Sequence, residues 1–382
     1  AKGPRHNGAF PRLRMLQASF LRPSLYALGL LLGGLGVRLP AQAPAAVAAP
    51  AAAEDGPHVF WEGEQARLYW VRKGGVEVEA ARGKVVLPLT GLAARPLVLT
   101  PQMPAPAQGE FPAPEKILAL SDVHGRFDTL LKLLKVHKVV DDTLQWTFGL
   151  GHLVILGDVM DRGPRVTEAL WFLRALQEAA LEKGGRVHVL PGNHEAMVAA
   201  GDLRYLHPKY ARHLEGLPTQ PELVGPNSEL GRWLRSLPVL LKLGDYLFVH
   251  GGISPELVAQ GWTLEQINAR FRGLWGGYGS DRGGEKELLL RSKGPIWYRG
   301  LVQTERGGAA TEAEVLQALQ RFQVKAIVVG HTTLDRVTAL HGGKVFGVDA
   351  GILEGRPGEV WLWQEGRVWR GGAEGGREPL IP

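Results

Sequence analysis

Short apolar runs alternate with amphipathic stretches through the middle of the chain. Residues 127–136 and 166–181 repeat apolar side chains at the spacing of a helix that covers a sheet. The apolar runs are rich in valine, isoleucine and leucine, are typical of buried strands, and lie at 117–120, 153–156, 187–190, 246–249 and 326–329. This alternation predicts an α/β fold with a βαβαβ core around a largely parallel sheet.

The flanking regions differ from this core in composition. Residues 59–100 contain short runs of β-forming residues separated by glycine, which predicts a small all-β module. The module concentrates no acidic, histidine or asparagine side chains, so we expect it to serve packing or docking. The other predicted regions are an Ala/Pro linker at 49–58, a Pro-rich connector at 101–114, a main domain at 115–370 and a flexible tail at 371–382.

Composition bounds the class of protein. The 382 residues, of which 45% are hydrophobic, allow a full core and predict a globular protein. The formal charge of +6 at first suggests a nucleic acid or another acidic partner. Six of the 44 basic residues precede the first acidic residue, Glu54, and the remaining 38 match the 38 acidic residues. The body of the chain is therefore neutral, and we expect no nucleic-acid partner.

Residues 1–48 resemble an export signal. Basic residues precede the apolar run at 25–37, and small-residue patterns follow at 41–43 and 46–48, which favours cleavage near Ala48. The apolar run is shorter than the roughly 20 residues that span a bilayer, so a retained membrane anchor is the second interpretation. The sequence has no cysteine, which excludes disulfides and thiolate ligands. We expect an exported protein, periplasmic or secreted.

Five predicted strands end in loops that hold possible metal ligands. Because the carboxyl ends of parallel strands lie at the same edge of a sheet, we expect these side chains to converge there. Oxygen and nitrogen ligands without thiolates suit Mn, Fe, Zn or Ni better than Ca or Cu(I). The loops are 121–125, 157–158, 192–195, 250–252 and 330–331.

The segment from Gly157 to Gly163 directly follows the strand at 153–156. It carries Asp158, and a second acid and an arginine follow within the next four residues. On its own, a Gly-Asp pair at a strand end is equally typical of a turn and a helix N-cap. With the other four loops beside it, an aspartate between two sites is able to bridge two cations about 3.5 to 4 Å apart, the geometry used in phosphoryl chemistry. Arg162 is then suited to a bidentate contact with phosphate oxygens.

The five loops resemble the motifs of metallophosphoesterases of the phosphoprotein phosphatase type. They are Ser-Asp-Val-His-Gly, Gly-Asp-Val-Met-Asp-Arg-Gly, Gly-Asn-His-Glu, His-Gly-Gly and Gly-His, in that order. Met197, the segment 201–205 and the Trp-Tyr-Arg-Gly sequence at 297–300 are similar to the Shewanella-like branch. The resemblance covers roughly residues 115–355. It implies a calcineurin-like fold, a two-sheet β-sandwich flanked by helices.

The resemblance also implies a role for each site residue. His194 would be the general acid that protonates the leaving oxygen, oriented by Asp161. Arg162 and Arg299 would bind the phosphate, although an arginine after Trp-Tyr is also typical of a surface residue stacked on an aromatic ring. The metal ligands would be Asp122 and His124 for the first ion, Asp158 as the bridge, and Asn193, His250 and His331 for the second.

The expected activity is hydrolysis of a phosphomonoester by direct attack of a metal-bridging hydroxide. We expect two divalent cations, manganese first, with iron, zinc or nickel as alternatives. The expected substrate is a phosphorylated protein or peptide. Residues 347–351 depart from the corresponding loop of eukaryotic Ser/Thr members, so phosphotyrosine and phosphoserine or phosphothreonine all stay open.

Two other functions fit parts of the pattern. Enzymes that hydrolyse dinucleoside polyphosphates share the metal motifs, but an export signal argues against their cytosolic substrates. A catalytically silent phosphoprotein-binding module is the second alternative. His194 argues against it, because a binding module needs no general acid.

Overall fold

Among the described residues, the first strand begins at Asp55. The computed structural model of the protein describes residues 54–212, 214–279, 283–303 and 308–381. The predicted export signal at 1–48 lies outside these ranges and stays a prediction. In the part of the chain that the structure describes, no helix is long and apolar enough to cross a membrane.

The predicted β-rich module is present and consists of two small antiparallel sheets, which we call the N-terminal module. Its strands are β1 (Asp55–Glu62), β2 (Gln65–Arg72), β3 (Gly75–Arg82), β4 (Val85–Leu87) and β5 (Leu97–Leu99). The order is β1-β2-β3 in one sheet and β4-β5 in the other. The module packs against the main domain, where the indole Nε1 of Trp61 donates to Glu229 Oε2 at 2.8 Å and that of Trp171 donates to the Pro57 carbonyl at 2.8 Å.

The predicted βαβαβ core forms half of the first large sheet. Helices α1 (Phe127–Val136) and α2 (Val166–Glu182) connect its three parallel strands. The strand order is β17-β16-β15-β7-β8-β9. These strands are β7 (Lys116–Leu120), β8 (His152–Ile155), β9 (Arg186–Val189), β15 (Glu359–Gln364), β16 (Arg367–Gly372) and β17 (Arg377–Pro379).

A second large sheet has the order β13-β14-β12-β11-β10-β6. Its strands are β6 (Glu110–Phe111), β10 (Leu240–Leu243), β11 (Tyr246–Val249), β12 (Ala326–Val329), β13 (Thr338–Leu340) and β14 (Val345–Gly347). Strands β11, β12 and β14 are parallel. The carboxyl ends of β11 and β12 therefore lie at the same edge of this sheet.

The remaining helices lie around the two sheets. Side-chain oxygens of Ser228, Ser254, Thr263 and Thr311 accept backbone N–H groups at the first turns of four of them, which sets where these helices begin. The helices are α3 (Asn193–Ala199), α4 (Pro208–Ala211), α5 (Gln220–Leu223), α6 (Glu229–Ser236), α7 (Pro255–Ala259), α8 (Leu264–Gly273), α9 (Gly284–Leu290) and α10 (Glu312–Phe322), with a 3-10 turn at His341–Gly343.

Alternation along the central strands creates two layers of core. In β7, Ile117 and Ala119 pack between the two sheets, whereas Leu118 and Leu120 pack under the helices. Trp361 of β15 fills the middle of the inter-sheet layer and is fully buried. Its ring lies 5.8 Å from Phe248 and 5.7 Å from Phe346, measured between centroids. Both sheets thus share one apolar interface.

Several sequence predictions are wrong at the edges of the fold. The linker predicted at 49–58 overlaps β1, which begins at Asp55, and the connector at 101–114 contains β6, which pairs with β10. The tail predicted as flexible includes β17, which pairs with β16. The first large sheet is only partly parallel, because β15, β16 and β17 run antiparallel.

Replacing Trp361 by alanine should lower the free energy of unfolding by about 3–5 kcal/mol, because it opens a cavity between the sheets. Urea denaturation followed by circular dichroism measures the change. Trp361→Phe is the matched control and should lose clearly less, since an aromatic ring still fills the space. A Trp361→Ala protein within about 0.5 kcal/mol of wild type, the usual effect of a surface change, would contradict this view of the core.

Candidate metal centre

The proposed ligands lie at the carboxyl ends of strands from two different sheets. Loops after β7 and β8 carry Asp122, His124 and Asp158, and Asn193 is the first residue of α3, which follows β9. Loops after β11 and β12 carry His250 and His331. The expectation that all five loops meet at the edge of one sheet is therefore wrong. The ligands meet where the edges of the two large sheets come together, and all six are buried.

The backbone of these loops is bent into an unusual conformation. Asp122, His124, Asp158 and His331 have φ angles of 55°, 45°, 52° and 63°. Such positive values cost a non-glycine residue roughly 1–3 kcal/mol each and concentrate at functional sites. Glycine is required nearby, since a Cβ on Gly192 would lie 2.2 Å from Asp158 Oδ1. The loops thus adopt a strained backbone conformation in which the side chains converge on one point.

Asp122, His124 and Asp158 form the first group of ligand atoms. His124 Nε2 lies 3.7 Å from Asp158 Oδ2 and 3.9 Å from Asp122 Oδ1. Its Nδ1–H donates to the Met160 carbonyl at 2.8 Å, which leaves Nε2 to face the carboxylates. Burial lowers the pKa of His124 to about 4, so the ring is neutral and suited to bind a cation.

Asp158 also belongs to a second group, with Asn193, His250 and His331. His250 Nε2 lies 3.3 Å from Asp158 Oδ2 and 3.0 Å from Asn193 Oδ1. The His250 Nδ1–H donates to the Leu156 carbonyl at 2.6 Å. His331 Nε2 is buried without a hydrogen-bond partner. One ligand atom each from Asp158, His250 and His331 can be chosen within 4.8 Å of one another.

The electrostatics of the two groups favour bound cations. Burial, together with the carboxylates of Asp349 and Asp158, raises the pKa of Asp122 well above its usual range. Burial lowers the pKa of His250, but Asp158 and Asp122 outweigh it and raise the pKa to about 9. A proton therefore compensates the negative charge here, and a divalent cation is the stronger substitute. The residues fit a two-metal centre.

His194 lies at the rim of the first group. Its Nδ1–H donates to Asp161 Oδ2 at 2.6 Å, and its Nε2 lies 3.9 Å from Asp158 Oδ2. Its ring stands edge-on to that of His124, with 4.7 Å between centroids. Asp161 thus fixes the tautomer that leaves Nε2 pointing toward the metal groups, a geometry that serves a proton donor or a further ligand.

The two predicted phosphate-binding arginines differ in setting. Arg162 is exposed and stacks on the ring of Tyr205, with its Cζ 4.4 Å from the centroid. Arg299 is partly buried, and its Nη1 donates to the His331 carbonyl at 2.6 Å. The surface alternative considered for Arg299 is wrong. Both guanidinium groups have their positions fixed by neighbours of the metal groups.

Glu195 and Tyr205 have contacts at the site that the sequence motifs do not predict. The Glu195 carboxylate accepts four backbone N–H groups, those of Asp158, Val159, Met160 and Gly192, at 2.7 to 2.9 Å. The signal in the sequence is a glutamate at the third position of a helix that follows glycine, which is typical of N-terminal capping. Tyr205 had no comparable signal, since its ring contacts depend on tertiary packing.

Comparison with known proteins identifies the family. Residues 115–334 match the model of the calcineurin-like phosphoesterases, which is more than half of the chain. The chain belongs to the calcineurin-like phosphoesterase family. The predicted fold, with two stacked sheets flanked by helices, is therefore confirmed, and so is the predicted relationship to Shewanella-like phosphatases.

Three relatives show how far the similarity extends. The crystal structure of a cold-active protein-tyrosine phosphatase from a psychrophilic Shewanella species superposes with a TM-score of 0.75 and 38% identity, covering 86% of this chain and 99% of the other. Shewanella-like protein phosphatase 2 of Arabidopsis thaliana is 26% identical over 65% of this chain and 74% of its own. A symmetrical bis(5'-nucleosyl)-tetraphosphatase of Psychromonas ingrahamii is 31% identical, but over 38% of this chain and 46% of its own.

Glu195→Gln should destabilise the fold and weaken metal binding. The amide of glutamine turns an NH₂ toward backbone N–H groups, and each buried donor without an acceptor costs about 1–3 kcal/mol. Because Asp158 is displaced, metal affinity should fall by roughly 10- to 100-fold, as when a partner of a ligand is removed. Thermal unfolding and a metal titration measure the two effects.

Glu229→Gln is the matched control for this variant. Glu229 is also buried, but its carboxylate accepts from a single side chain, that of Trp61. It should leave metal affinity unchanged. Equal metal affinity in the two variants would show that Glu195 does not set the position of Asp158.

Proposed function

We propose that the protein is a two-metal phosphatase that hydrolyses phosphomonoesters on protein side chains, with phosphotyrosine as the preferred substrate. The observation that carries the proposal is the position of Asp158, which lies in two buried clusters of possible ligand atoms. One cluster contains His124 and His194, and the other contains His250 and His331. Phosphatases named in the Shewanella-like branch support the protein substrate. Similarity to a protein-tyrosine phosphatase over nearly its whole length supports the preference.

Asp122, His124 and Asp158 would hold one cation, and Asp158, Asn193, His250 and His331 the other. Bound divalent ions supply the Lewis acidity that activates water and neutralises charge on phosphate, and manganese is the first candidate, with iron, zinc or nickel as alternatives. The protein residues do the positioning. Hydrogen bonds from the Nδ1 atoms of His124 and His250 to backbone carbonyls fix the orientation of both rings.

The proton of the leaving group is assigned to His194 Nε2. Asp161 accepts from His194 Nδ1 and so keeps the ring oriented while the charge on imidazole changes. Arg162 and Arg299 would bind the nonbridging phosphate oxygens and orient the ester bond toward His194. These assignments give each polar group around Asp158 a separate task.

Aromatic side chains beside the metal groups support an aryl phosphate. The ring of Tyr205 lies 5.1 Å from His194, and Trp297 lies 5.5 Å from His331, both between centroids. Tyr278 stacks on Trp297 at 5.7 Å. A cavity of about 500 Å³ lies beside Arg299 and is lined by Tyr278 and Trp297. A phosphotyrosine ring gains contacts from such walls that a serine side chain is too short to make.

Export is part of the proposal. Its support is the sequence pattern of residues 1–48, with a retained membrane anchor as the alternative. An exported phosphatase meets phosphorylated proteins outside the cytoplasm, where dinucleoside polyphosphates are not the expected substrates.

Metal-loaded protein should hydrolyse a phosphotyrosine peptide about tenfold faster in kcat/KM than the same peptide with phosphoserine, because aromatic contacts add about 0.5–1.5 kcal/mol. Phosphate release from the two peptides and from a dinucleoside tetraphosphate, with and without a chelator, measures this. Turnover should vanish with the chelator and return with manganese. A clear preference for the tetraphosphate would instead make the protein a nucleotide hydrolase.

His194→Asn should lower kcat on the phosphotyrosine peptide by roughly 10²- to 10⁴-fold, the usual effect of losing a general acid. An aryl phosphate with a strongly acidic leaving phenol is the control, since it needs little protonation and should slow much less. Metal content per chain should match wild type. Loss of a bound metal ion in the variant would assign His194 to the ligands and remove its role as acid.

A further inference from the structure

Tyr205 contacts two residues of the proposed active site at once. Its ring centroid lies 5.1 Å from that of His194 and 4.4 Å from the Cζ of Arg162. The Tyr205 carbonyl also accepts the backbone N–H of Arg162 at 2.9 Å. Any shift of the segment 202–210, which carries Tyr205, would therefore change the surroundings of the acid and of the phosphate-binding arginine together.

The same segment is held at its other end by Lys209 and Tyr210. The Tyr210 hydroxyl donates to the Pro164 carbonyl at 2.8 Å and accepts the backbone N–H of Val166 at 2.9 Å. Pro164 and Val166 follow Arg162 closely in sequence, so this contact ties the segment to the loop after β8. Lys209 is 10% exposed, and its Nζ lies 3.5 Å from Glu168 Oε1 in α2.

The second partner of Lys209 comes from the N-terminal module. Asp55 is the first residue of β1, and its Oδ1 lies 3.4 Å from Lys209 Nζ. Its Oδ2 lies 3.0 Å from His58 Nε2, and the Asp55 side chain is 8% exposed. The contact with Lys209 is an ion pair and not a hydrogen bond, since Asp55 Oδ1 has no hydrogen-bond partner. Because a buried ion without a nearby opposite charge is strongly unfavourable, Asp55 favours this position of Lys209.

We propose that Asp55 is a positioning residue for the active site. Through the Asp55–Lys209 ion pair, the N-terminal module holds the segment 202–210 so that Tyr205 packs against Arg162 and His194. The inference rests on the proposed phosphatase function, and it gives the module a role in binding substrate phosphate beyond packing.

The experiment compares Asp55→Asn with wild-type protein in the full chain loaded with manganese. Inhibition by inorganic phosphate measures how tightly the site that includes Arg162 binds phosphate, and peptide kinetics separate KM from kcat. We expect the inhibition constant of phosphate and the KM of the phosphotyrosine peptide to rise roughly threefold to tenfold, and kcat to change less. A rise of this size lies in the range of coupling between contacting residues. Lys209→Met, made on the other side of the ion pair, should reproduce the effect.

A double-mutant cycle with Tyr205→Leu tests the route. If Asp55 acts through Tyr205, Asp55→Asn should have little further effect on phosphate inhibition in the Tyr205→Leu protein. Trp61→Phe is the matched control, because it removes a different buried hydrogen bond of the module, the one to Glu229 of α6. It should lower the melting temperature and leave phosphate inhibition unchanged.

Two results would overturn the inference. One is an unchanged phosphate inhibition constant in both Asp55→Asn and Lys209→Met, whatever their melting temperatures. The other is an effect of Asp55→Asn that is as large in the Tyr205→Leu background as in wild type. Failure of the proposed function is a separate result, because wild-type protein would then show no metal-dependent phosphate release from any phosphomonoester.

Discussion

The carboxylate of Glu195 holds the loop after β8 by four backbone hydrogen bonds, and the site depends on that contact. Asp158 has a positive φ angle, as do Asp161 and Arg162, three and four residues later. A loop bent in this way returns to a relaxed conformation unless its N–H groups are occupied. The carboxylate of Glu195 accepts three consecutive N–H groups of the loop and a fourth at Gly192, and these bonds stabilise the bent form. The bent conformation of this loop sets the positions of Asp158, Asp161 and Arg162.

Charge is the second constraint on the centre. Asp122 and Asp158 are fully buried near three histidines, so the local balance of charge depends on how many protons the rings carry. Asp158 sits at the middle of this set: burial raises its pKa, but His250 and His194 outweigh burial and hold the pKa well below its usual range. The anionic Asp158 is thus held between the two groups of ligand atoms, and a proton on His250 compensates part of the negative charge. Buried charges of this kind are unfavourable without a cation and favour cation binding. This property distinguishes the metal centre from the apolar packing around it.

The central elements were predictable because their signal is local. Helix α1 and strands β11 and β12 begin and end where the pattern of apolar residues predicts, since each is buried along its length or along one face. The ligand loops were predictable for the same reason, as each directly follows such a strand. The partition of the strands between two sheets was not, because pairing joins residues far apart in sequence. The polar strand β17 gave no apolar signal, and the contacts of Tyr205 and Asp55 arise only when distant segments pack together.

The origin of the ligands in two sheets has a consequence for how the protein tolerates change. One sheet positions Asp122, His124, Asp158 and Asn193, and the other positions His250 and His331. The distances between the metal ligands therefore depend on how the two sheets are aligned. Bound ions would link the two sheets, and the apolar layer around Trp361 sets the distance between them. Substitutions deep between the sheets, far from any phosphate, are then able to retune the chemistry, and the inter-sheet layer is less free to drift in sequence than its apolar composition suggests.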